Sequence, residues 1–182
     1  MIELKSTKLL FLYRTILFKF STFKTNNNEL KTIVKALNIK NRKQRITYIY
    51  DETISLLNEY YSQDLCQFID GKCIVQRKNN SKSTNGCCRR CLIVTEKGCP
   101  SVNITCKLIY CKTAAKNIKL LKFNELTILK CLSIRQRLII LASTMMVREE
   151  VIKNLQYGII YTVLRELFNE IKYSFYRKKS AN

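Results

Sequence analysis

A chain of 182 residues, 47% hydrophobic and 25% charged, has the composition of a globular protein rather than a disordered one. Its 33 Lys and Arg against 13 Asp and Glu give a formal charge of +20, which favours polyanionic partners such as nucleic acid or anionic lipid. The absence of histidine excludes Ser-His-Asp, Cys-His and H-E-x-x-H chemistry, and four glycines with one proline argue against a turn-rich β-sandwich.

In chain order, Leu9 to Phe20 reads LLFLYRTILFKF. Arg14 and Lys19 interrupt it, and it falls short of the ~20 apolar residues that a bilayer span needs. No A-x-A cleavage site follows it. The reading is an N-terminal helix with one buried face, to which Phe11, Tyr13, Phe18, Phe20 and Phe23 would contribute. Leu30, Ile33, Val34 and Leu37 repeat at helical spacing behind Asn28, a candidate N-cap. Asn38 to Arg45 reads as a polar connection. Ile46, Ile49, Ile54, Leu57 and Tyr61 mark the next helix. Residues 1–62 are therefore expected to be helical.

Residues 63–112 differ in character. Gly71, Gly86, Gly98 and Pro100 fall here, and helical periodicity disappears. This stretch is too poor in apolar residues to build a core of its own and needs a staple. Helices resume from about Asn124. Ser133 and Gln136 fit a capping box, Leu138 to Leu141 reads as a buried run, and Ile152, Leu155, Ile160, Leu164, Leu167, Ile171 and Phe175 line one face of a final helix. The expected fold is mainly α. Helices in 1–62 and 113–182 form one body, and an irregular cysteine-rich metal-binding module, 63–112, is inserted between them.

Eight of the nine cysteines crowd into that module: Cys66, Cys73, Cys87, Cys88, Cys91, Cys99, Cys106 and Cys111. Thiolates are soft ligands, and four of them close a tetrahedral site for Zn²⁺ or hold an iron–sulfur cluster. Cys88-x-x-Cys91 has knuckle spacing, which lets both sulfurs face one ion. Nine basic residues against three acids in 63–112 offset thiolate charge and favour deprotonation. Disulfides are the competing reading, and they suit an odd cysteine count without a secretion signal less well. Cys131 stands apart and reads as a small buried apolar residue. Zinc is the first choice of metal and an iron–sulfur cluster the second.

The run Cys66 to Val75, CQFIDGKCIV, resembles the C-P-F-L…G-x-C-x-I segment of bacterial cysteine-rich proteins described as zinc- or iron-chelating, and Gly86-Cys87-Cys88 resembles their G-x-C-C element. Those proteins place the double cysteine first, and their R-P…C-R element has no counterpart here. The resemblance implies metal chelation.

With no catalytic constellation, the chain does not read as an enzyme. The leading expectation is a small cytoplasmic metal-binding protein with an interaction or regulatory role, whose partner is nucleic acid or another protein. No segment is expected to be integral to a membrane. The first alternative is a basic nucleic-acid-binding protein with a zinc-knuckle-like module. The first 45 residues carry eleven Lys or Arg against two Glu, interleaved with aromatics, and Arg42, Lys43, Arg45, Arg89 and Arg90 are the candidate contacts. The second alternative is an iron–sulfur or dithiol redox sensor built on Cys88 and Cys91, whose flanking arginines would stabilise thiolates.

Overall fold

The computed structural model describes residues 1–8, 10–17, 20–61, 67, 69, 72–74, 77, 103–109, 118–144 and 146–158. Among these, helix dominates, and strand is confined to one short pair. Strand β1, Ile2–Glu3, lies parallel to β2, Phe23–Lys24, with Ile2 opposite Phe23. Between them α1, Leu10–Leu12, continues as a π-helical turn, Tyr13–Leu17. A two-residue ladder has little stability alone. Here Leu4 and Phe23 are buried in the core, and the Asn38 side chain accepts from Phe23 N at 2.8 Å and donates to Phe23 O at 2.8 Å. Residues 1–62 are thus not all helix. Two-residue strands carry no period in the sequence, and this pair depends on a side chain far along the chain.

A 3₁₀ turn, Asn28–Leu30, leads into α2, Lys31–Asn38, which buries Ile33, Ala36 and Leu37. The cap of that turn is Asn27 rather than Asn28. Its Oδ1 accepts from Glu29 N at 2.9 Å. The polar connection is shorter than the sequence suggests, because Asn41 accepts from Lys43 N and Gln44 N and so starts α3, Arg42–Tyr60, inside it. No Gly or Pro interrupts those residues. Ile46, Ile49, Tyr50, Thr53 and Leu57 recur every three or four positions and are buried.

Helix α3 is the spine of the body. It packs against α2, against α4 (Ile104–Leu108), against the 3₁₀ turn Thr127–Cys131 and against α6 (Arg148–Tyr157), and α5 (Ile134–Ala142) packs on α4 and α6. Ile49, Ile104, Ile140, Val151 and Leu155 meet in this core and are fully enclosed. The Arg148 guanidinium clamps α6 to α3, with Nε and Nη2 donating to the two Asp51 carboxylate oxygens at 2.6 Å each.

Buried polar groups join α4 to the turn between α5 and α6. Asn103 Oδ1 accepts from Thr105 N at 2.8 Å and caps α4. Its Nδ2 donates to Ser143 O and to Met146 O, and Thr105 Oγ1 donates to Ile140 O. The capping box of α5 is present as read: Ser133 Oγ accepts from Gln136 N, and Gln136 Oε1 accepts from Ser133 N.

Two C-terminal expectations are corrected. Leu138 to Leu141 is not a buried run. Only Ile139 and Ile140 are buried, while Ile134, Leu138 and Leu141 lie exposed, because an α-helix turns about 100° per residue and cannot point four consecutive side chains at one core. The last helical pattern is also not one helix through residue 158. Ile152 and Leu155 are buried on α6, but α6 ends at Gly158, whose φ of +96 is open to glycine and strained for other residues. Ile160, Leu164, Leu167, Ile171 and Phe175 lie outside the described residues.

Candidate functional site

Of the eight clustered cysteines, Cys73 and Cys106 are described, and Cys66, Cys87, Cys88, Cys91, Cys99 and Cys111 lie outside the described residues. Cys73 follows a tight turn in which Ile69 and Lys72 exchange two backbone hydrogen bonds of 3.0 Å, and its carbonyl accepts from Arg77 N. It is buried but takes no part in the hydrophobic core of the helical body. Cys106 is half-buried on α4. Among the described residues no three Cys, Asp or Glu converge as a metal site.

Cys131 is different. It is 3% exposed and belongs to the core of the helical body. Burial pushes its thiol from 9.0 up to about 12, against the pull of Arg14 and Arg45. The thiolate is the reactive form, so this cysteine is inert at neutral pH. The unfolded chain releases the proton near the ordinary value and the native chain only near 12. The native state therefore holds more protons between these values, and its stability falls as pH rises through that window. Brief alkylation of the native chain at pH 8, followed by peptide mapping, is expected to leave Cys131 unmodified. Full modification without unfolding would contradict its burial.

Around Cys131 the body gathers arginines from two elements, with a third arginine acting on one of them. Arg14 comes from the π-helical turn, and its Nη1 donates to Lys130 O at 3.4 Å and to Leu132 O, one on each side of Cys131. Arg45 comes from the first turns of α3, where its Nη1 donates to Ile39 O at 3.3 Å. Arg137 comes from α5. Burial, then repulsion from Arg137, lowers the pKa of Arg14; for Arg45, burial lowers it first and Arg42 adds to the effect. Arg42 thus repels Arg45 and Arg137 repels Arg14, while Arg45 and Arg14 both act on Cys131, which makes a loose basic band of pairs. Among the described residues no carboxylate pairs with Arg14 or Arg137.

The sequence-derived contacts sit at one end of this band. Arg42 and Lys43 are exposed on the first turn of α3, and Arg45 is half-buried behind them. Cations in a first helical turn oppose the helix dipole, and this turn has no acid to compensate. Arg89 and Arg90 lie outside the described residues. Arg14 and Arg137 were not legible as partners of this band, since no spacing in the sequence links positions so far apart.

The N-terminal aromatics also divide differently from the expected buried face. Phe23 is in the core and Tyr13 is half-buried, but Phe11 is 61% exposed and Phe20 is 88% exposed. The short α1 and its π-helical turn break the single helical face that would have buried them together. Phe18 lies outside the described residues. Among the described residues no helix is long and apolar enough to cross a membrane. No family model, no curated protein and no solved structure matches this chain.

Proposed function

We propose that this chain binds nucleic acid through the basic band and exposed aromatics of its helical body, and that the cysteine segment 63–112 holds a metal, zinc first, through thiolates. The observation that carries the reading is the pair of exposed cations, Arg42 and Lys43, on an acid-free first turn of α3, with Arg45 behind them and Arg14 on the neighbouring turn both acting on Cys131. Like charges brought together at a partly desolvated surface disfavour folding, and a polyanion relieves that repulsion while releasing counterions. Phe11 and Phe20 add exposed rings on which bases can stack. The metal half of the reading rests on Cys88-x-x-Cys91 and on the burial of Cys73 outside the core of the body.

Replacing Arg42 and Lys43 together by Glu is expected to weaken binding of a labelled single-stranded oligonucleotide by tenfold or more. The slope of log K against log salt should fall by about 1.4, at roughly 0.7 per lost phosphate contact. Fluorescence anisotropy across a salt series reads both. Unchanged affinity in the double variant would remove these two residues from the interface.

A narrower reading, a metal-held interaction protein whose partner is another protein, is favoured by the exposed apolar stripe of Ile134, Leu138 and Leu141 on α5. It predicts an anisotropy signal no larger than that of a neutral control protein.

A further inference from the structure

Two ties fix how the segments of the N-terminal half run past each other. The Asn38 side chain bonds Phe23 N and Phe23 O, both at 2.8 Å, and Lys40 Nζ donates to Ser21 O at 2.5 Å. Stepping back from Phe23 to Ser21 therefore means stepping forward from Asn38 to Lys40. One step more sets Phe20 beside Asn41, the cap of α3. Phe20 is 88% exposed, and Lys40, Arg42 and Lys43 are exposed around it. Among the described residues no carboxylate pairs with Arg42 or Lys43. A single apolar residue in water is ordinary. This one sits at a corner of three cations, on backbone that side chains hold at Ser21, Phe23 and Lys43.

We propose that this corner selects single strands over duplex, with Phe20 as the ring on which a base stacks and Lys40, Arg42 and Lys43 along the flanking phosphates. This deepens the nucleic-acid reading and rests on it. A base offers its face to a protein ring only when it is unpaired and splayed out, whereas the cations alone attract either form. Every base has such a face, so the corner tolerates any sequence. Met1, 83% exposed, lies at the same end of the β1–β2 pair. The residues next to Phe20 are nonetheless polar, Ser21, Thr22, Lys40 and Asn41, and lipid-surface binding grows with the apolar area it buries. One ring among cations suits a strand better than a bilayer.

The test compares the full wild-type chain with Phe20→Leu and Phe20→Trp. The probes are labelled oligothymidylate, the same strand annealed to its complement, and vesicles containing phosphatidylserine. The wild type is expected to bind the strand more tightly than the duplex. Phe20→Leu should bind the strand about tenfold more weakly and the duplex unchanged, with an unaltered salt slope, because a ring is lost and no charge. Phe20→Trp should restore strand binding, and all three chains should melt alike, since the side chain lies in water. Strand affinity equal in wild type and Phe20→Leu, or a loss equal for strand and duplex, overturns the corner and leaves the nucleic-acid reading standing. Binding of neither nucleic acid overturns both, and vesicle binding that depends on Phe20 would then assign the ring to a lipid surface.

Discussion

Replacing Asn103 by Ala is expected to destabilise the helical body by about 2–4 kcal/mol, one of the two largest effects foreseen for a single substitution. Asn103 is fully buried and joins three pieces of backbone. Its Oδ1 caps α4 through Thr105 N, and its Nδ2 serves the carbonyls of Ser143 and Met146 in the turn between α5 and α6. Losing the cap costs about 1 kcal/mol, and losing each of the two bonds to carbonyls costs about 0.5–1.5 kcal/mol, since Ser143 O keeps Met146 N as a donor. Thr105→Val removes one hydroxyl bond to Ile140 O and is expected to cost less, about 1 kcal/mol. Urea melts of the two variants separate these figures. Equal, small losses in both would show that α4 is not joined to the α5–α6 turn through Asn103.

The second large effect concerns the proposed metal. Replacing Cys91 by Ser is expected to abolish zinc retention and the folding of the segment around it, because metal binding worth about 10–16 kcal/mol is folding energy in small thiolate modules. The helical body is expected to keep its own cooperative melt. The reason is visible in the core. Its buried members run from Leu4 to Tyr61 and from Ile104 to Leu155, so Asn103 and α4 belong to the body, whereas Cys73, among the described residues before them, stays outside its hydrophobic core. Hydrogen exchange with and without a chelator reads the two parts separately. Unchanged metal content in Cys91→Ser would remove that cysteine from the ligand set. A body that melts together with the segment would contradict their independence.

Much of the helical body was legible in the sequence. Ile46, Ile49 and Leu57 are spaced as a helix requires and are buried on α3, and Ser133 with Gln136 forms the expected box. Local patterns of this kind are set by neighbours three or four residues away. What the sequence hid depends on distant partners. The β1–β2 pair needs the Asn38 side chain, and the buried run of α5 shrinks to Ile139 and Ile140 because the helix turns Leu138 and Leu141 away from the core. The candidate site shows the same division. Arg42 and Lys43 stood out as a basic run before a helix. Arg14 and Arg45 come near each other only because the π-helical turn and α3 are both folded against the turn that ends at Cys131. The aromatics of the first segment suggest one buried face, but the π-helical turn distributes them between core and surface.

The most direct test of the central claim is the affinity of the full, zinc-replete chain for single-stranded oligonucleotide, measured over a series of salt concentrations. The account predicts binding that weakens steeply with salt, with a slope corresponding to several phosphate contacts. No binding at low salt, or an affinity indifferent to salt, would contradict it.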